Sequence, residues 1–173
     1  MICLIFSAYF SATETAFSSL NRTRLKTMAE KGEKRAILAC KLSDQYDKLI
    51  STILIGNNIV NILAASVGTM LFVSLYGDAG ATISTIVLTI LVLIFGEVSP
   101  KSIAKDCPEK FAMFSAPFIR VLMAVFTPLN FLFSQWKKLL ARVFHLETSS
   151  KMSQDELLML VNEVQQDGSI DEN

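Results

Sequence analysis

Oxygen-bearing side chains recur at helical spacing inside three apolar stretches of this sequence. In the first stretch a polar stripe falls at i, i+4, i+7 and i+11, on one face of a helix, at Ser7, Ser11, Glu14 and Ser18. An acidic residue inside a spanning helix is costly and usually faces a bundle interior, a partner or a water-filled path. The stripe therefore indicates a polar path or ligand set, unless Glu14 lies at the interface and the serines only ease helix packing.

The second stretch places three side-chain amides in a hydrophobic helix. Asn57 and Asn61 are four residues apart and share a face, and Asn58 adjoins them. Amides in lipid act either as hydrogen-bonding contacts between helices or as oxygen ligands. Both interpretations of this cluster stay open.

The third stretch closes with a glycine, a carboxylate and a proline at Gly96, Glu97 and Pro100. Proline donates no backbone hydrogen bond, and its ring clashes with the carbonyl four residues back. The Gly96 carbonyl is therefore predicted to lack a helical partner, beside the Glu97 carboxylate. Free oxygens of this kind suit a hard cation such as Mg2+ or Na+. The alternative is a helix that ends at the water interface, with Glu97 and Lys101 as an i,i+4 ion pair.

Composition predicts a membrane protein and argues against several other classes. Hydrophobic residues make up 51% of the 173 residues, and the mean hydropathy is +0.44, above the globular norm. The single histidine, His145, and three cysteines without metal-ligand spacing argue against a zinc or copper site. No histidine or lysine is placed as a base near Ser11 and Glu14, so an intramembrane hydrolase is not expected. We predict neither an enzyme nor a nucleic-acid partner.

Helices must position these residues, and we predict an all-α membrane protein with three transmembrane spans. The spans cover about residues 1–20, 49–75 and 81–99. Residues 21–48 carry eight Lys/Arg against four acids, with a turn at Gly32, and are predicted to form a cytoplasmic helical hairpin under the positive-inside rule. The N-terminus is then outside and the C-terminus cytoplasmic, in a multi-pass protein of the cell (inner) membrane.

A further hydrophobic stretch, at about residues 109–142, completes a predicted transmembrane domain of residues 1–146. It is interrupted by Pro117 and Pro128 and carries Arg120. If it spanned the membrane, the lysines near its end would emerge on the outside, against the positive-inside rule. A re-entrant or juxtamembrane belt helix is therefore preferred, and a fourth span is the alternative.

The tail, residues 147–173, holds seven acids against one lysine. A capping sequence at 153–156, followed by apolar residues at helical spacing, predicts an acidic cytoplasmic helix. Clustered carboxylates brought together in a dimer would repel one another, and Mg2+ would relieve that repulsion. The cluster for which we predict this role comprises Asp155, Glu156 and Glu163.

Three motifs, in this order and spacing, resemble the transmembrane domain of the CorC / cyclin M family of Mg2+ transporters: FSATETA at 10–16, GNN at 56–58 and FGEVSPK at 95–101. The resemblance covers essentially the whole chain. It implies a homodimer in the lipid bilayer with three spans per subunit, a belt helix, and an acidic helical bundle leading to cytosolic CBS domains. Those domains are expected beyond Asn173, so ATP-linked regulation is not expected within this chain.

The resemblance also implies a cargo and its ligands. The family is associated with Mg2+ export coupled to Na+ entry, with a dehydrated or partly dehydrated cation bound between three helices. Carried over motif by motif, its ion site comprises Ser11, Asn57, Gly96 and Glu97. The positions predicted to be accessory are Ser7, Glu14, Asn61 and Pro100. The alternative function is a non-transporting membrane Mg2+ sensor or regulatory scaffold, in which the polar residues serve only packing.

Overall fold

The computed structural model describes residues 1–129, 131–132, 135–136 and 139. The chain divides into two compact units, Met1–Asn130 and Phe131–Asn173, and every contact given below lies within the first. The described residues form helices and no strands, in agreement with an all-α membrane protein. The predicted acidic cluster of Asp155, Glu156 and Glu163 lies outside the described residues.

Seven α-helices follow one another in the described part of the chain. They are α1 (Ile2–Ser19), α2 (Arg22–Glu30), α3 (Lys34–Ser43), α4 (Tyr46–Tyr76), α5 (Gly80–Leu91), α6 (Ser99–Asp106) and α7 (Pro108–Val125). A 3-10 turn, Gly77–Ala79, joins α4 to α5, and a π-helical segment, Val92–Val98, joins α5 to α6.

The central helix is α1, which packs against α4, the π segment, α6 and α7. Its buried side chains include four polar ones: Ser7, Ser11, Thr13 and Thr15. A buried hydroxyl must find a hydrogen-bond partner or remain unsatisfied at a cost in stability.

The helices α4 and α5 form an antiparallel hairpin. Thr69 Oγ1 lies 3.2 Å from Ser84 Oγ, and Gly68 faces Leu88. Gly77, with φ +63°, reverses the chain in the left-handed region that favours glycine.

The helical run Tyr46–Asp106 is the one in the described residues that is long and apolar enough to cross a membrane, with a window of mean hydropathy 2.2. Because the chain reverses at Gly77, this run is two antiparallel arms. Many large apolar side chains of the two arms are exposed, as contact with lipid would require: Ile59, Ile62, Leu63, Val67, Met70, Ile86, Ile90 and Leu93. The polar helix α1 does not meet the same criterion, so the count of three spans stays a prediction.

The basic segment forms the predicted pair of short helices, α2 and α3, which pack against each other. Gly32 has φ +87° at the turn between them, as predicted. The Asn21 side chain caps α2 by accepting the Arg24 backbone N–H at 3.0 Å. The second helix, α3, also packs against α7.

The helix predicted to end near Pro100 does not end there, because helical backbone continues through α6 to Asp106, and the membrane boundary of the third span stays a prediction. The Ser99 N–H donates to the Ile94 carbonyl five residues back, which is the π register. The change of register places Pro100 in the first turn of α6, where a missing N–H is tolerated. In the α register Pro100 would leave the Gly96 carbonyl unpaired, and in the π register that of Phe95.

Candidate cation site

Three elements meet at Ser7. The Ser7 hydroxyl donates to Asn57 Oδ1 across 3.4 Å, which joins α1 to α4. A Cβ added to Gly96 would lie 2.8 Å from Ser7 Oγ, so the π segment reaches α1 at the same level. The structure thus brings together one accessory residue and two of the four residues predicted as ligands.

The oxygens at this level have bonding capacity to spare. Ser7 is 1% exposed, yet its 3.4 Å bond is longer than the roughly 2.5–3.0 Å of a good O–H···O bond. An amide oxygen carries two lone pairs, and this weak bond engages only one of them on Asn57. The pair can therefore offer oxygen to a cation at little cost in lost hydrogen bonding.

Ser11 lies one turn further along α1 and is fully buried. Its Oγ has no hydrogen-bond partner among the described residues, and the buried Oδ1 of Asn61 has none there either. Leaving such a group unsatisfied costs about 1–3 kcal/mol. Ser43 Oγ on α3 is unpaired as well, so what distinguishes this site is the convergence of three elements on Ser7.

The charges at the site differ from the simplest sequence interpretation. Lys101 Nζ lies 3.5 Å from Glu14 Oε2, so α1 and α6 share an ion pair. The alternative pair of Glu97 with Lys101 is absent from the described contacts, and Glu97, which is partly exposed, forms no ion pair within that part of the chain. Glu97 is therefore the carboxylate free to compensate a cation, whereas Lys101 already neutralises Glu14.

Glycine permits the close approach of helices on which this geometry depends. A Cβ at Gly56, the residue before Asn57, would lie 2.6 Å from the ring of Phe10. The Phe10 ring therefore lies directly against α4 at this glycine. Gly96 permits the corresponding approach of the π segment to Ser7. Small residues at helix contacts in membranes serve this purpose. The glycines of the second and third motifs thus position the oxygens beside them.

Two features of α1 and its surroundings were not found from the sequence. One is the central place of Ser7, which was predicted only as accessory. The other is Glu109, which is 7% exposed, accepts the Asn21 backbone N–H at 3.3 Å and lies 3.8 Å from Arg24. The available signal was an acidic residue in the first turn of a helix that begins at Pro108. Glu109 ties α7 to the start of α2, away from the contacts of Ser7.

The chemistry of this donor set is that of a hard cation. No group of three or more His, Cys, Asp or Glu side chains that could hold a metal ion occurs in the residues the structure describes. Hydroxyl, amide and carbonyl oxygens with one carboxylate suit Mg2+, Na+ or Ca2+, whose ligands are oxygens. The arrangement can bind such a cation without the strong retention that several carboxylates would impose.

Comparison with known proteins gives consistent relatives. All residues, 1–173, match the family described as the cyclin M transmembrane N-terminal domain. The chain is 45% identical over 161 residues to the inner membrane protein YfjD of Escherichia coli K12, covering 91% of this chain and 38% of that protein. It is 41% identical over 166 residues to a UPF0053 protein of Haemophilus influenzae, covering 94% and 40%.

A more distant relative carries a functional name. The polyamine export protein of Haemophilus influenzae is 27% identical over 158 residues, covering 84% of this chain and 37% of that protein. The chain thus spans about two fifths of the length of these relatives. The chain is a membrane protein, and it belongs to the cyclin M transmembrane domain family, the CorC / cyclin M family that its three motifs predicted.

Proposed function

We propose that this chain is the ion-transporting membrane domain of a Mg2+ exporter driven by Na+ entry. The observation that carries the proposal is the meeting of Ser7, Asn57 and Gly96 from three elements. Ser11, buried and without a partner among the described residues one turn away, adds a further oxygen. Membership of the cyclin M family supports transport, and the oxygen donors support a hard cation.

Each residue has a distinct part in the proposed site. Ser11, the Asn57 amide, the Gly96 carbonyl and the Glu97 carboxylate contact the cation, and Ser7 orients Asn57. Mg2+ takes six oxygens at short distance and dehydrates reluctantly, so it keeps part of its water shell when only a few protein oxygens contact it. With one carboxylate the site keeps a net positive charge when loaded, which favours release.

In this proposal the π segment is the element that changes conformation during transport. A π segment holds one residue more than the α register over the same rise, and such bulges occur frequently at functional sites. A return of residues 92–98 to the α register would rotate Gly96 and Glu97 away from Ser7. We place the alternation of access in this change of register, since irregular helical backbone that lines a cavity at membrane depth binds ions in other transporters.

Assembly and orientation form part of the same proposal. We place three spans in the inner membrane, with the N-terminus outside and the C-terminus in the cytoplasm, and we expect a homodimer. Cytosolic CBS domains would occupy some of the length by which the relatives exceed this chain. The acidic cluster of Asp155, Glu156 and Glu163 would then sense cytoplasmic Mg2+.

Two other functions compete with this one. The name of the Haemophilus influenzae relative raises polyamines as cargo. A polyamine needs acceptors spaced along its length, whereas Lys101 already engages Glu14 and leaves Glu97 as the free carboxylate among the described site residues. In a sensor or scaffold, the oxygens around Ser7 would serve packing alone.

Flux through proteoliposomes separates the three functions. Mg2+ flux against an imposed Na+ gradient is expected for the unchanged chain, and Asn57→Ala and Glu97→Gln should reduce it to background. Asn58→Ala is the matched control, because Asn58 is the neighbouring amide on the exposed side of α4.

The other outcomes identify the competitors. Flux of spermidine without Mg2+ flux would favour polyamine export. Neither flux nor saturable Mg2+ binding, with only a loss of thermal stability in the variants, would favour a scaffold. Unchanged Mg2+ flux in both variants would contradict the site assignment.

A further inference from the structure

A concave surface lies between α3 and α7, and none of its lining residues belongs to the cation site. It encloses a volume of about 730 Å3, and its wall includes five basic side chains and no acidic one. We call it the α3–α7 cleft. Its basic residues are Lys34, Arg35, Lys41, Lys48 and Arg120.

The charged side chains that line the cleft are all basic. The ion pairs of Arg24 with Glu109 and of Lys101 with Glu14 lie outside the cleft. The acids at the two ends of α3, Glu33 and Asp44, do not line the cleft. Like charges gathered in a concave surface concentrate the electrostatic potential, so the cleft attracts an anion.

The floor of the cleft is apolar. Leu38 and Leu42 come from α3, and Met123 and Ala124 come from α7. A soluble inorganic anion would gain nothing from such a floor. Cations beside apolar side chains instead match a ligand that carries both a phosphate and hydrocarbon.

An exposed apolar face on α7 lies beside the cleft. Phe114, Phe118, Val121 and Val125 fall at i, i+4, i+7 and i+11 on this helix, and all four are exposed. Pro117 and Ala124, which line the cleft, lie four residues before and three residues after Val121 and are therefore its neighbours on the helix surface. Hydrocarbon chains attached to a phosphate in the cleft therefore have an apolar surface to follow.

We infer that the α3–α7 cleft binds the phosphate headgroup of an anionic phospholipid. Basic residues close to a bilayer surface attract anionic lipid by about 1 kcal/mol each, and the cleft gathers five of them around one volume. None of its lining residues belongs to the cation site. The inference therefore does not depend on which cargo, if any, the chain transports.

The test uses the whole chain, purified in an uncharged detergent and titrated with phosphatidylglycerol or phosphatidylcholine, with adducts counted by native mass spectrometry. The unchanged chain should bind phosphatidylglycerol about tenfold more tightly than phosphatidylcholine. Lys41→Gln/Arg120→Gln should lose that preference, and Lys34→Gln/Arg35→Gln provides a second pair from the cleft. All four side chains are exposed, so the melting temperature should hold.

Two controls keep the interpretation specific. Lys26→Gln/Lys31→Gln removes the same charge at exposed positions outside the cleft and should keep the lipid preference. The charge-preserving pair Lys41→Arg/Arg120→Lys should keep it as well. Retention in both controls, with loss in the cleft variants, supports the inference.

Three outcomes would overturn it. Equal affinity for the two lipids would remove the headgroup preference. Unchanged phosphatidylglycerol affinity in both cleft double variants would show that the lipid binds elsewhere. Displacement of phosphatidylglycerol by inorganic phosphate or ATP at micromolar concentration would identify a site for a soluble anion instead.

Discussion

The two sides of α1 differ in the chemistry of their contacts. On the side of α4 and the π segment, which we call the oxygen-rich side, Ser7 lies against Asn57 and Gly96 with a weak hydrogen bond, and Ser11 has no hydrogen-bond partner among the described residues. On the side of α7, the aromatic side, the ring centroid of Tyr9 lies 5.5 Å from that of Phe118.

The Tyr9 hydroxyl on the aromatic side has a hydrogen-bond partner, whereas the Ser11 hydroxyl on the oxygen-rich side has none among the described residues. Tyr9 donates to the Ser115 carbonyl at 3.3 Å and is surrounded by the rings of Phe111, Phe114 and Phe118. Edge-to-face aromatic pairs contribute about 0.5–1.5 kcal/mol each. The oxygen-rich side carries unpaired buried oxygens that cost stability. We conclude that ring packing stabilises the contact of α1 with α7, while α4 and the π segment leave oxygens available for function.

The largest effect is expected from Gly96→Ala on the oxygen-rich side. The new methyl group would lie 2.8 Å from Ser7 Oγ and 3.3 Å from Ser7 Cβ, so either the Ser7 side chain or the π segment must shift. Overpacking of this kind costs about 1–3 kcal/mol. Mg2+ flux in liposomes should fall by about tenfold or more, with a lower melting temperature in detergent.

Removal of the opposing atoms provides the control for that change. Ser7→Gly/Gly96→Ala takes away both Ser7 atoms that the methyl group meets. Its melting temperature should return toward that of Ser7→Gly alone. A double variant no more stable than Gly96→Ala would show that the contact with Ser7 is not the cause.

Glu109→Ala tests α7, the helix on the aromatic side, and should affect stability alone. It removes the acceptor of the Asn21 N–H and the partner of Arg24, which should cost about 1–3 kcal/mol. Mg2+ affinity, measured by calorimetry, should stay within about twofold, because Glu109 contacts none of the cation-site residues. Glu30→Ala, at an exposed acid on α2, is the matched control. Weaker Mg2+ binding at unchanged stability would erase the distinction between the two sides.

Pro100→Ala is expected to have a smaller effect on the oxygen-rich side. It restores a backbone N–H at the junction of the π segment and α6 and so favours a carbonyl partner for Gly96 or Phe95. Mg2+ affinity should weaken severalfold although Pro100 offers no side-chain oxygen. Pro108→Ala, in the first turn of α7, is the control and should leave affinity unchanged. Equal affinities in the two variants would count against a role for backbone oxygen.

The smallest effect is expected from Tyr9→Phe on the aromatic side. It removes one hydrogen bond of 3.3 Å to Ser115 and leaves the ring in place. Hydrogen bonds between membrane helices average about 0.6 kcal/mol, so the melting temperature should fall only slightly. Any loss of Mg2+ binding would show that the aromatic side also shapes the cation site.

Local features of the fold could be predicted from the sequence. The turn at Gly32 followed from a glycine between two helical patterns, because a left-handed conformation depends on only a few neighbouring residues. The three motifs likewise predicted the family, and two of their residues, Asn57 and Gly96, meet at one serine.

Features that depend on register between helices could not be predicted. Lys101 pairs with Glu14 across α1 and α6 instead of with Glu97 one turn away, and spacing along a single helix cannot show such a partner. Ser7 approaches Asn57 most closely for the same reason, although motif matching favoured Ser11. Proline alone predicted a helix end. The structure instead continues the helix in the π register, which the sequence pattern did not show.

Calorimetric titration of Mg2+ into the purified chain tests the central claim most directly, using Asn57→Ala beside Asn58→Ala. The two changes remove neighbouring amides from one helix, and Asn57 is the one that contacts Ser7. We predict saturable Mg2+ binding that Asn57→Ala weakens by about tenfold or more and that Asn58→Ala leaves unchanged. Equal affinity in both variants, or no saturable binding by the unchanged chain, would contradict a cation site between α1, α4 and the π segment.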